Sequence, residues 1–299
     1  MKTQFTTHKW LPCLLIVFLA TACEKDFLDR KPKGQLTFDT YFETADHAVW
    51  ATNAVYQNFR SWEMSAFPWI GITDIISDDA DKGSTPNDAL YLLEVDDFTF
   101  DATNAVFGDS WRGSYHTIFR ANLAIENIPK IDMDEALKNR LVGENKFLRA
   151  LVYLRLVQWY GDIPIITRPL NEGEYFTQER RPAGEVYNLI EQDLLDAIAV
   201  LPEKSEYADT DLGRATKGAA KGILAKLYMV KHDFASAEPH LLDVINSGEY
   251  SLLARYGDNF LPEGENAEES VFEIGAVAVQ AAVIAAHLPG QLATPFLPR

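Results

Sequence analysis

The residues that could do chemistry are concentrated between positions 61 and 107, a stretch rich in aspartate, glycine, proline and aromatic residues. Flat aromatic rings can stack on the apolar face of a ligand, while carboxylates, amides and cations bond to its polar groups. Both kinds of side chain occur here, and six are candidate ligand contacts: Trp69, Asp78, Asp79, Lys82, Asn87 and Asn104. Loops this long are usually functional or disordered, and the aromatic content argues against disorder.

The same residues also have structural and catalytic interpretations. Trp69 can pack the loop onto neighbouring helices, and Asp78 and Asp79 can form a turn or cap by bonding the local backbone. A glycoside hydrolase needs two carboxylates about 5–10 Å apart across the scissile bond. Asp88 could join Asp78 or Asp79 in such a pair, but no hydrolase motif accompanies them. We therefore expect a binding protein rather than an enzyme.

Composition excludes several other classes of function. The net charge is −17, and a surface of that sign repels a phosphate backbone, so we expect no nucleic-acid partner. The chain has two cysteines and no clustered histidines, which argues against a zinc site or a disulfide scaffold. We expect no metal and no cofactor.

The N-terminus has the pattern of an export signal. Lys2 and Lys9 precede an apolar run from residue 11 to residue 20, which is too short to span a bilayer. Ala20-Thr21-Ala22 is followed at once by Cys23, as in a bacterial lipobox. The sequence predicts a signal peptide at 1–22, lipidation of Cys23 and a polar lead-in at 23–43. The alternative is a secreted protein with an unpaired cysteine.

Apolar residues at three- and four-residue spacings predict six helices that must position the candidate residues. They are expected to begin near Thr44 and Asp109 and to cover about 134–160, 183–201, 214–231 and 234–247. The last two have tetratricopeptide spacing, with the small Ala225 and Ala237 allowing close approach. An earlier copy is interrupted by an insertion at 161–182. We predict an all-α fold of tetratricopeptide-like stacked helical hairpins with long loop insertions and short extended segments near the C-terminus. An unrelated helical bundle is the alternative.

The order of short motifs resembles one known family. The motifs, in chain order, are the lipobox with Glu24-Lys25-Asp26, Ser77-Asp78-Asp79-Ala80, Arg120-Ala121-Asn122, Phe147-Leu148-Arg149-Ala150, Tyr160-Gly161-Asp162-Ile163-Pro164, Arg214-Ala215-Thr216 and Glu269-Ser270-Val271-Phe272-Glu273-Ile274. This order is similar to that of the SusD/RagB outer-membrane lipoproteins of Bacteroidetes, over about residues 19–275.

The resemblance implies a tetratricopeptide-like helical fold and a non-catalytic role on the cell surface, anchored to the outer membrane through lipid. It implies capture of oligosaccharides or polysaccharides and their transfer to a SusC-like TonB-dependent transporter. It also implies that ligand contacts come partly from residues 77–104. A tetratricopeptide-like adaptor that binds protein but no sugar is the alternative.

The resemblance also gives a domain division. Residues 44–275 correspond to the helical repeat domain of a family whose members are usually much longer. Residues 276–299 are an apolar, acid-free tail that occupies the place where the C-terminal half should start. We therefore expect a truncation point at this tail.

Overall fold

The computed structural model describes residues 41–275. The chain divides into two units, Met1–Phe42 and Glu43–Arg299. The predicted signal peptide at 1–22, the lipidation site Cys23 and the apolar tail at 276–299 lie outside the described residues and stay predictions.

The second unit is built from helices, which we number in chain order. They are α1 (Ala45–Asn58), α2 (Trp62–Ser65), α3 (Phe67–Ile70), α4 (Leu90–Asp96), α5 (Ala105–Asn127), α6 (Glu135–Tyr160), α7 (Ala183–Val200), α8 (Lys217–Val230) and α9 (Phe234–Asn246). A π-helical turn, Gly71–Ile75, continues α3. The six predicted helices are α1 and α5–α9, so the all-α prediction is confirmed.

The long helices pack on one another in a row. Helix α1 lies against α5 and α6, and each helix from α5 to α8 packs on the next in sequence. Helix α6 is central, so it is buried on several sides and contributes Phe147, Leu148, Tyr153 and Leu156 to the main core. At the α8–α9 hairpin, Ala225 and Ala237 are buried as predicted. This arrangement is a stack of helical hairpins.

Capping side chains determine where several of the helices begin. The side chains of Thr44, Asp134 and Thr216 each accept a backbone N–H bond from the first turn of the helix that follows. The predicted start of α5 at Asp109 is wrong, because Asn104 caps that helix by accepting a bond from the backbone N–H of Val106. Asp109 instead pairs with Arg112 within the helix.

One other expectation needs correction. Residues 61–107 are not wholly irregular, since they contain α2, α3, the π-helical turn and α4. The short extended segments predicted near the C-terminus, at 250–252 and 270–274, are neither helix nor strand and form no sheet within residues 41–275, so that prediction is confirmed. The isolated bridge found there joins Ile163 to Arg181 and closes the 161–182 insertion between α6 and α7.

Candidate functional site

The candidate residues on the loop before α4 are the most accessible ones. Asp78, Asp79 and Asn87 are exposed, and their side chains have no hydrogen bond or ion pair to any described residue. The backbone N–H of Asp79 donates to the hydroxyl of Ser77 at 3.2 Å, which makes a local turn. The free carboxylates and amide are available to a ligand, and their role as contacts stays a prediction.

The side chains of Lys82 and Asn104 already make hydrogen bonds within the protein. The ammonium of Lys82 donates to the carbonyl of Thr85 at 2.7 Å, while its backbone N–H donates to the Asp96 carboxylate at 3.1 Å. The buried amide of Asn104 donates to the Tyr91 carbonyl and to the Glu94 carboxylate, both at 2.8 Å. Because Asn104 is also the cap of α5, it is the candidate with the least capacity to contact a ligand.

Trp69 lies apart from the other five candidates. Its ring packs edge-on against Trp159 at 5.4 Å, and the guanidinium of Arg155 lies 4.3 Å from its centroid. These partners come from the last turns of α6, so Trp69 fixes α3 against the end of that helix. Of the six candidates, Trp69 alone lines either of the two cavities described next.

An aromatic cavity of about 570 Å³ lies where α5 begins and α6 ends. We call it the loop-end cavity, and its lining is Phe100, Asp101, Ala102, Phe107, Gly108, Trp111, Trp159, Tyr160 and Arg180. It forms because α5 and α6 pack antiparallel, which brings the 97–104 loop and the 161–182 insertion to the same end. The Tyr160 hydroxyl donates to the Phe107 carbonyl at 2.8 Å and so joins the two helices.

The loop-end cavity combines aromatic faces with two opposite charges. Trp111 contacts Tyr160 edge-on at 5.1 Å. The side-chain and backbone bonds from Thr103 lower the pKa of Asp101, so this carboxylate is ionised at neutral pH. The exposed guanidinium of Arg180 has no hydrogen bond or ion pair to any residue in the range 41–275. Such a cavity can stack a sugar ring and bond its hydroxyl groups.

A larger cavity, of about 1120 Å³, lies on the other side of Trp159. We call it the basic groove, because its lining includes Arg60, Arg155 and Lys226 together with Trp69, Trp159 and Gln158. Burial lowers the pKa of Arg155 to about 10, which still leaves its guanidinium cationic at neutral pH. Trp159 lines both cavities, so the two adjoin at this ring.

Several of these residues were not predicted as functional. Trp111, Trp159 and Tyr160 lie on helices, where an aromatic side chain is usually part of the core, and neither Phe107 nor Arg180 is among the six candidates. Asp101 was missed although it lies inside the 77–104 segment that the resemblance indicated. No group of three or more metal-ligating side chains is found among the described residues. Within the same range, no helix is long and apolar enough to cross a bilayer.

Comparison with known proteins finds one family, both by its family model and by individual relatives. Residues 26–229 match the family model SusD-like_3, described as starch-binding and associating with the outer membrane. SusD-like protein P2 of Formosa agariphila is 30% identical over 238 residues, which are 78% of this chain and 45% of that protein. A SusD-like protein of Bacteroides ovatus is 28% identical, over 89% of this chain and 49% of its own length.

Solved structures share the same fold. A laminarin-binding SusD-like protein superposes with a TM-score of 0.66 at 29% identity, covering 75% of this chain and 50% of that one. Surface glycan-binding protein A from Bacteroides fluxus gives 0.68 at 25% identity, covering 77% and 50%. The chain therefore spans about half the length of the relatives it matches, and it belongs to the SusD-like family of starch-binding, outer-membrane-associated proteins.

Proposed function

We propose that this chain captures oligosaccharides at the outer membrane, without catalysis. The observation that carries the proposal is the match of residues 26–229 to a family described as starch-binding. The loop-end cavity supports it, because rings and opposite charges are the groups that sugar recognition requires. A laminarin-binding relative of the same fold, 29% identical, gives laminarin as the first ligand to test.

The chemistry of the same cavity supports a role without catalysis. Hydrolysis of a glycosidic bond normally needs two carboxylates flanking that bond. Asp101 is the one carboxylate among the residues that line the loop-end cavity. Asp78 and Asp79 do not line it, so we expect purified protein to release no reducing ends from a bound glycan.

The proposal extends to anchoring and transfer. The lipobox predicts that Cys23 carries lipid, and the family description associates such proteins with the outer membrane. We propose that the protein is displayed at the cell surface and passes bound oligosaccharide to a SusC-like TonB-dependent transporter. Metabolic labelling with a fatty-acid analogue tests the anchor, because a Cys23→Ala variant would lose the label.

A protein-interaction adaptor remains a second candidate because of one feature of α9. Phe234, Leu242 and Ile245 are exposed there, with 60%, 46% and 70% of their surface accessible. An apolar row of this kind is typical of a protein contact. The adaptor interpretation predicts a bound protein and no bound sugar.

Isothermal titration with purified protein separates these possibilities. The ligands are oligosaccharides from laminarin, starch and acidic polysaccharides. Arg180→Ala is the test variant, and Arg181→Ala is its matched control, since Arg181 is also exposed but pairs with Glu185. A bond from a charged group contributes about 1.5–3 kcal/mol, so the R180A variant should bind roughly tenfold or more weakly.

The outcomes have distinct meanings. Binding of one or more glycans, weakened in R180A and unchanged in R181A, supports both the function and the cavity. Binding that R180A leaves unchanged would contradict the assignment to the loop-end cavity. A folded protein that binds none of the glycans would contradict the proposed function.

A further inference from the structure

The basic groove is lined by cationic side chains that have no ion-pair partner among the described residues. Arg60, Arg155 and Lys226 line it, and none of these side chains has an ion pair or hydrogen bond with any described residue. Among the other lysines and arginines of residues 41–275, only Arg180 shares this condition. The chain holds 44 acidic and 27 basic residues, so acids are abundant elsewhere. Three unpaired cations in one cavity therefore indicate an anionic occupant.

Arg155 is held in the centre of this groove by aromatic rings. Its guanidinium carbon lies 4.3 Å from the Trp69 centroid and 5.4 Å from the Phe59 centroid. Cation–π contacts of this kind stabilise the charge but accept none of the five guanidinium N–H donors. These donors form a planar fork that matches a carboxylate or a sulfate. The side chain is thus fixed in place with its hydrogen-bonding capacity unused.

The single acidic residue in the lining is already used. Glu273 accepts bonds from the backbone N–H of Asn266 and, at 3.0 Å, from the hydroxyl of Ser270. It fixes the turn before the last described residues and bonds to none of the three cations. Its carboxylate still carries a negative charge, but the lining holds three cations against this one anion and so keeps a net positive charge.

We infer that the basic groove binds the carboxylate or sulfate group of an anionic saccharide, with Arg155 as the principal contact. This rests on the proposed function and specifies its ligand class. A saccharide is favoured over an acidic peptide because Trp69, Trp159 and Gln158 line the groove beside the cations. Trp159 also lines the loop-end cavity, so one oligosaccharide can contact both sites.

Matched pairs of glycans that differ only in charge test this inference. The probes are dextran sulfate against dextran, and oligogalacturonate against its methyl ester, measured by affinity electrophoresis and titration calorimetry at low and high salt. Arg155→Met and the exposed Lys226→Ala are the test variants. Lys221→Ala is the control, because Lys221 lies on the same helix, outside the groove, and pairs with Asp243.

We expect one or both anionic probes to bind about tenfold or more tightly than their neutral partners. This preference should fall at high salt and be lost in R155M, weakened in K226A and kept in K221A. Equal binding of charged and neutral partners would overturn the inference but leave the proposed function intact. Absence of binding to any glycan would contradict both. Equal, Arg155-dependent binding of poly-glutamate would show a peptide site and would also overturn the inference.

Discussion

Replacing Arg149 by methionine should strongly destabilise the protein, because Arg149 ties four parts of the fold together. From α6, its Nε and Nη2 donate to the two Asp193 oxygens of α7 at 2.8 and 2.7 Å. Its Nη1 donates to Asn122 of α5 at 2.7 Å and to the Thr167 carbonyl in the 161–182 insertion at 3.2 Å. The ion pair is almost fully buried, with 6% and 4% of the two side chains exposed.

The size of the expected loss in stability is set by the buried carboxylate that the substitution leaves without a partner. In the R149M variant, the Asp193 carboxylate stays buried without its partner, and breaking a buried pair in this way costs about 3–5 kcal/mol of unfolding free energy. For a domain of this size that corresponds to a fall in Tm of about 6–20 °C. Urea unfolding followed by circular dichroism measures the free energy, and a thermal scan measures the Tm.

Two control variants test whether the unpaired buried charge causes the loss of stability. In the double variant R149M/D193L the unpaired charge is absent, so it should regain half or more of the loss. Arg181→Met breaks the exposed pair with Glu185 and should cost less than about 1 kcal/mol. A loss below about 1 kcal/mol in R149M, or a double variant no more stable than R149M, would show that the buried ion pair does not hold these helices together.

Three further predictions concern packing, a buried hydroxyl and a surface carboxylate. Gly113→Ala places a Cβ 2.5 Å from a side-chain carbon of α2, so it should lower the free energy of unfolding in urea by about 1–3 kcal/mol. Gly108→Ala on the same helix is the control, because its Cβ meets nothing within 4 Å and should not destabilise the protein. The Tyr56 hydroxyl donates to a buried glutamate and accepts a backbone N–H, both at 2.9 Å, so Tyr56→Phe should cost about 1–3 kcal/mol; a loss near zero would contradict this. Hydrogen bonds from Arg168 lower the pKa of Glu174 to about 2. The Arg168–Glu174 ion pair should therefore be fully formed above the ordinary glutamate pKa and be lost as pH falls through about 2. A carboxylate NMR titration should show this value, and in Arg168→Ala the pKa should rise but stay below the ordinary glutamate value, because the backbone and side chain of Asn171 still donate to Glu174.

The sequence was most informative where a regular spacing extended over a long helix. Ala225 and Ala237 indicated the close approach of α8 and α9, and both are buried there. The short helices α2 and α3 were missed, because four residues are too few to show a period and Pro68 reads as a break. The start of α5 was missed because Asn104 and Asp109 are both good caps and only tertiary contacts choose between them.

The candidate site was predictable as a region but not as a set of contacts. Aromatic and acidic composition indicated the 61–107 stretch, and Asp101 lies in it and lines the loop-end cavity. Arg180 reaches the same cavity only because α5 and α6 are antiparallel and the Ile163–Arg181 bridge closes the insertion. Such a contact between distant segments leaves no local signal in the chain. Arg155 likewise lies over the rings of Phe59 and Trp69, which are distant from it in the chain.

Binding of a glycan at the loop-end cavity is tested most directly by the tryptophan indole signals. In a ¹⁵N-labelled sample titrated with an oligosaccharide that calorimetry shows to bind, the Trp111 and Trp159 indole N–H resonances should shift with a common dissociation constant. The exposed Trp50 and Trp62, which line neither the loop-end cavity nor the basic groove, should stay in place. Shifts confined to Trp50 or Trp62, or no shift at all under conditions where calorimetry reports binding, would contradict binding at this cavity.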